Sequence, residues 1–173
     1  MKVFITGANG FIGRNLCEHL AGKYELFTPS SKELDLLDEA AVRKYVQAND
    51  VDIIIHSANR GGSRDTADMK NVTEYNLRMF FNIARNSGEV DRVLYFGSGA
   101  EFGKHRNLHK VKEEQFDEVV PKDDYGFYKY VCNKHAEKSE NIIKLRLFGA
   151  FGKYENYKIH SRLCASKRRK RGR

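Results

Sequence analysis

The sequence predicts an α/β fold, a doubly wound and mostly parallel sheet with helices on its faces. Two patterns predict it. Short apolar or β-branched runs (Val3–Ile5, Tyr24–Phe27, Val51–His56, Arg92–Gly97, Ile142–Phe148) alternate with stretches whose apolar residues recur at helical spacing. Strands separated by helices must run parallel, and runs such as Val51-Asp52-Ile53-Ile54-Ile55 have the composition of a strand buried on both faces. At 173 residues, 40% of them hydrophobic, the chain has enough material for one domain with a real core.

The first strand, around Val3-Phe4-Ile5, runs through a turn into a helix marked by Ile12, Leu16 and Leu20. The turn carries Gly7, Gly10 and Gly13. In a strand-turn-helix setting Gly7 permits the tight turn, Gly10 lets backbone approach a pyrophosphate, and Gly13 lets helix pack closely on strand. The helix N-terminus adds unpaired N–H groups and a positive dipole end. The predicted ligand is a dinucleotide, held in a Rossmann domain by Gly7, Asn9, Gly10, Phe11, Ile12 and Gly13. The Gly-x-x-Gly-x-x-Gly spacing differs from the commoner Gly-x-Gly-x-x-Gly fingerprint.

At the end of the second strand, Thr28-Pro29-Ser30-Ser31-Lys32 offers hydroxyls and a lysine where NAD-preferring folds place an acid for the ribose. Ser30, Ser31 and Lys32, with Arg14, suit the 2′-phosphate of NADP, which is favoured within NAD(P); a plain polar loop is the other reading. Asp38 is an N-cap for a second helix from Glu39. After the third strand, Ser57-Ala58-Asn59-Arg60-Gly61-Gly62-Ser63 forms a loop at the sheet edge where such folds seat ligands. A helix from about Met69 to Asn86 buries Val72, Tyr75, Met79, Phe80 and Ile83. Asn76, beside that stripe, must bond something buried or point outward. The fourth strand delivers Ser98 to the same edge, and the polar stretch from Lys104 to Lys122 is long enough for an active-site loop. His105 and His109 within it lack a third metal ligand, so no zinc site is expected. A helix led by Asp123 and Asp124 precedes the last strand.

Tyr125 and Lys129 lie four apart and share a helix face. A neighbouring ammonium and a cationic nicotinamide would both favour the phenolate of Tyr125, whose ordinary pKa is about 10. Ser98 would hold the same substrate oxygen. Tyr-x-x-x-Lys occurs three times, at Tyr125, Tyr130 and Tyr154. Only the first opens a helix after a strand-borne serine, so it is the candidate acid-base pair.

The net charge of +8 is localised. Seven of the 31 Lys and Arg lie from Arg162 onward with no acid among them, so the remainder is nearly neutral. Residues 1–161 therefore form the expected domain and 162–173 a basic, solvated tail. Only that tail is suited to nucleic acid. No apolar run reaches the roughly 20 residues of a membrane span and no signal layout opens the chain. Cys17, Cys132 and Cys164 fit reduced thiols. A cytoplasmic protein is expected, with no membrane contact.

With Gly7/Gly10/Gly13, Asp35, the His56-Ser57-Ala58 strand end, Ser98 and Tyr125/Lys129 in order, residues 1 to 152 resemble the extended short-chain dehydrogenase/reductases, above all the nucleotide-sugar epimerases, reductases and dehydratases. The resemblance implies that Asp35, with Leu36, meets the adenine, and that Ser57, Ala58, Asn59 and Asn76 help seat the coenzyme. It also implies that Lys129 places the coenzyme and that Tyr125 is the acid-base group with Ser98 beside it. Dehydratases of this kind carry an Asp-Glu pair after the catalytic hydroxyl, where this chain has Gly99 and Ala100; a fucose-synthase-like cysteine near Ala100 is also missing. What remains is hydride transfer at one carbon of a nucleotide sugar, by a 4-epimerase or a keto-reductase. A homodimer is compatible with the resemblance. Such enzymes continue into a smaller sugar-binding lobe, so a truncated, frameshifted or fragmentary member is expected. The rival reading is a catalytically inactive NAD(P)-binding regulator whose basic tail engages nucleic acid or a partner.

Overall fold

The computed structural model describes residues 1–61 and 69–155. Five strands, β1 (Lys2–Thr6), β2 (Glu25–Phe27), β3 (Ile53–His56), β4 (Arg92–Ser98) and β5 (Ile142–Leu147), pair in the order β2-β1-β3-β4-β5. Every pair is parallel, with Phe4 level with Ile54 and Ser98 level with Leu147. The helices are α1 (Phe11–Leu20), α2 (Glu39–Asn49), α3 (Val72–Ala84) and α4 (Asp124–Ala136).

Alternation along β1 sorts the core into two layers. Phe4 faces a larger cluster with Val42 and Val46 of α2, Phe80 and Ile83 of α3, and Tyr128 and Cys132 of α4. Val3 and Ile5 face the other way, against Leu16, Cys17 and Leu20 of α1. Helices thus cover both sheet faces, as the sequence leads one to expect. The Asp38 carboxylate accepts from Ala41 N–H at the start of α2, and Asp123 accepts from Gly126 N–H at the start of α4.

Chain direction decides where a ligand can sit. From β1 the chain moves to β2 on one side and returns to β3 on the other, so the loops after β1 and β3 part at their carboxyl ends. That divergence opens a crevice.

Two polar residues, in α3 and just past its end, escaped the sequence reading. Asn82 is buried because its amide donates to Leu36 O, and Asn86 because its amide donates to Asn82 O. Among the described residues no helix is long and apolar enough to cross a membrane. The basic tail, Cys164, Lys158 of the third Tyr-Lys pair, and Gly62 and Ser63 lie outside the described residues.

Candidate active site

The turn from β1 into α1 is shaped by close approach. Gly7 has φ +68°, and a Cβ there would lie 2.7 Å from the backbone of Ala58. On Gly13 a Cβ would lie 2.2 Å from Gly7 O, so helix and turn touch only because Gly13 lacks one. A Cβ on Gly10 meets a single atom, Gly7 O at 3.2 Å, which leaves its other side open. Gly10 is also the N-cap of α1 and supplies no side-chain acceptor, so the first-turn N–H groups remain available to an anion.

A buried polar cluster ties the ends of β1 and β3. Thr6 Oγ1 accepts from Ala58 N–H at 3.1 Å and is hydrogen-bonded to His56 Nδ1 at 2.8 Å, while Ser57 Oγ donates to Thr6 O at 2.6 Å. Burial, reinforced by the nearby Lys129 charge, lowers the His56 pKa to about 3, so its ring is neutral and its Nδ1 can accept. The loop that follows is held from α3 and α4. Asn76 accepts from Arg60 N–H and donates to Arg60 O and Val72 O. Tyr128 donates its hydroxyl to Asn59 Oδ1. Asn76 therefore spends its side chain on the loop backbone and does not line the cleft.

A cleft of about 770 Å³ runs along this edge, within the range of small-molecule sites. Pro29, Ser30, Ser31, Asp35 and Leu36 line one end; Gly7, Asn9, Gly10, Phe11, Ile12 and Gly13, with Ser57, Ala58 and Asn59, line the middle; Ser98, Tyr125 and Lys129 line the other end. Lys32 is exposed and outside the lining, and Arg14 stacks over the Tyr154 ring at 5.4 Å. Ser30 donates both its N–H and its hydroxyl to Glu33 Oε2, and these bonds lower the Glu33 pKa. A more open groove of about 1000 Å³ between α2 and α3 shares Asp35 and Leu37 with the cleft but contains none of Ser98, Tyr125 and Lys129.

Two elements bring the reactive groups together. Ser98 ends β4, Tyr125 lies in the first turn of α4, and Lys129 lies one turn on. Burial raises the pKa of the Tyr125 phenol; the nearby Ser98 hydroxyl works against it, and the net shift is upward. The Tyr125 side chain is thus a phenol at neutral pH. Lys129 donates not to the phenol but to Phe96 O at 2.5 Å, with its ammonium 4.7 Å from the Tyr95 ring centroid and 6.0 Å from that of Tyr125. Burial lowers its pKa to about 8, so it remains mostly an ammonium at neutral pH.

Sequence reasoning missed the roles of Thr6, Tyr128 and Glu101, and named His56 only as part of a strand end. Thr6 and Tyr128 lie beside residues it did name, and their partners come from distant parts of the chain. Among the described residues no group of three or more His, Cys, Asp and Glu is placed to hold a metal ion.

The family profile for the NAD dependent epimerase/dehydratase family matches residues 3–170. The GDP-L-colitose synthase of Yersinia pseudotuberculosis is 34% identical over 177 residues, covering 92% of this chain and 57% of that protein. A dTDP-4-dehydrorhamnose reductase from Bacillus anthracis, solved in complex with NADP, superposes with a TM-score of 0.78 at 25% identity, covering 94% of this chain and 59% of that one. A GDP-mannoheptose C4 reductase from Campylobacter jejuni with NADP bound superposes with a TM-score of 0.81 at 24% identity over 90% of this chain and 53% of that one, a likeness of fold. The chain thus spans between half and three-fifths of the length of these proteins. The glycine turn, the gathering of Ser98, Tyr125 and Lys129 and the profile match agree, and the chain belongs to the NAD dependent epimerase/dehydratase family.

Proposed function

We propose that the chain binds NAD(P) in the cleft and provides the hydride-transfer half of a nucleotide-sugar oxidoreductase acting at one sugar carbon. Keto-reduction is the favoured direction. The gathering of Ser98, Tyr125 and Lys129 at the end of a cleft floored by the glycine turn carries this reading. The residues present fit a dinucleotide. Its pyrophosphate would lie over Gly10, where the hollow is open and α1 presents free N–H groups, with the adenine half toward Asp35 and Leu36. Ser30 and Ser31 line that end and suit the ribose or its 2′-phosphate.

Bound NAD(P) supplies or accepts the hydride. The chain's own residues handle the oxygen and its proton. Ser98 would donate a hydrogen bond to the sugar oxygen, and Tyr125, a phenol at neutral pH, would deliver the proton that turns a ketone oxygen into a hydroxyl. Lys129, buried and mostly charged, would orient the coenzyme's ribose and favour the phenolate that remains. Reduction suits this resting state because the acid starts protonated. Reductase names recur among the relatives, including the UDP-2-acetamido-2,6-beta-L-arabino-hexul-4-ose reductase of Pseudomonas aeruginosa, 31% identical over 126 residues.

The test is oxidation of NADH or NADPH, followed by absorbance, with a panel of 4-keto sugar nucleotides. Turnover that falls at least about a hundredfold in Tyr125→Phe supports the reading. Coenzyme binding with no transfer to any member of the panel would instead support a binding protein without chemistry.

A further inference from the structure

Behind Ser98, on the side away from the cleft, lies a buried ion pair that none of the chemistry above uses. Glu101 is 1% exposed and Arg146 has a side chain 5% exposed. Arg146 Nε donates to Glu101 Oε1 at 2.8 Å, and the same oxygen accepts from Ser98 N–H at 3.0 Å. Arg146 comes from the edge strand β5, Glu101 from the short 3-10 turn Gly99–Phe102 that follows Ser98. The guanidinium lies over the rings of Phe102 and Phe116, at 4.7 and 5.4 Å, and its Nη1 reaches Glu113 in the connection between β4 and α4.

The pair is poorly built for stability alone. Glu101 Oε2 and Arg146 Nη2 are buried without a hydrogen-bond partner among the described residues. A buried pair with unmet polar atoms is commonly matched or bettered by apolar side chains of similar volume. What the pair does achieve is orientation. Glu101 fixes the Ser98 backbone, and Ala100 N–H donates to Ser98 Oγ at 3.2 Å. With an acceptor site of that oxygen filled from behind, the Ser98 proton is left to point toward Tyr125 and the cleft. Nor can a larger residue take the place of Gly97, because a Cβ there would lie 2.8 Å from Glu101 Oε1.

We propose that Glu101 and Arg146 are positioning residues for Ser98, holding its hydroxyl as a donor toward the Tyr125 phenol. The inference rests on the functional reading above for its purpose, and its test is independent of turnover. The full chain is labelled with tyrosine carrying carbon-13 at Cζ, and the Tyr125 resonance is identified by its loss in Tyr125→Phe. Ser98→Ala gives the displacement expected when the Ser98 hydroxyl is lost. The double variant Glu101→Met/Arg146→Met keeps the volume and removes both charges. It should fold and move the Tyr125 signal in the same direction by at least half as much, Arg146→Lys should restore most of the original position, and adding Ser98→Ala to the double variant should move the signal no further than Ser98→Ala alone.

An unmoved signal in the folded double variant overturns the proposal, and so does a further displacement in the triple variant. Should the double variant fail to fold, Glu101→Gln carries the test, with a smaller shift in the same direction expected and no shift contradicting it. NADH titration of the same samples checks the functional reading separately. Loss of binding in the unmodified chain would sink that reading while leaving the Tyr125 shifts to decide the role of the pair.

Discussion

The Lys129 ammonium donates to the carbonyl of Phe96 at 2.5 Å, across the interface of α4 and β4, and lies 6.0 Å from the ring centroid of Tyr125 on its own helix. The two members of the Tyr-x-x-x-Lys pair thus make no direct hydrogen bond to each other, Lys129 being tied to β4. Among the described residues no carboxylate lies within ion-pair distance of Lys129, and its neighbours include a carbonyl and aromatic rings.

A buried lysine without a counter-ion costs stability. Its pKa is lowered to about 8 in the folded chain against about 10.5 unfolded, so between those values the unfolded chain binds more protons and folding is favoured as pH rises. Lys129→Met should be at least as stable as the parent at pH 7, by up to about 3 kcal/mol before the lost Phe96 hydrogen bond is subtracted. Its advantage should shrink by pH 10. Urea unfolding at both pH values checks this, and the same variant should bind NADH at least tenfold more weakly.

His56 gives the acid-side counterpart. Its pKa is held at about 3 in the folded chain and returns to about 6.5 on unfolding, so stability is lost as pH falls through that interval. About 3 kcal/mol should disappear between pH 7 and pH 4.5 from this group alone. His56→Gln, which keeps an acceptor for Thr6, should lose measurably less over the same range in paired urea titrations.

Much of this was legible in the sequence, for physical reasons that differ by element. The strands announced themselves because both faces of Phe4-Ile5 and Ile54-Ile55 are buried, and the helices because Val42/Val46 and Phe80/Ile83 repeat at helical spacing. Gly7 and Gly13 were legible because turn and close approach leave a spacing. Asn76 was ambiguous because its partner, the Arg60 backbone, comes from a loop whose path no periodicity encodes. Glu101 was invisible because what buries it is Arg146, 45 residues on and across a strand pair.

The glycines allow a contrast between folding and binding. Gly13→Ala places a methyl 2.2 Å from Gly7 O and should cost roughly 1–3 kcal/mol or more of stability. Gly10→Ala meets only Gly7 O at 3.2 Å, so it should fold with a small change in Tm yet bind dinucleotide at least tenfold more weakly. Thermal unfolding beside NADH titration separates the two.

At the start of α4, Asp123→Ala removes the acceptor for Gly126 N–H and should cost about 1 kcal/mol, read as a lowered Tm. Because Tyr125 sits in that first turn, the carbon-13 signal of its Cζ should broaden in the same variant.

The most direct measurement is a titration of the chain with NADH and NADPH, following nicotinamide fluorescence, in parent and Gly10→Val protein. Saturable one-to-one binding that Gly10→Val abolishes is expected if the hollow between β1 and α1 seats the pyrophosphate beside Ser98 and Tyr125. Absence of saturable binding in the folded parent, or binding that survives Gly10→Val unchanged, would contradict it.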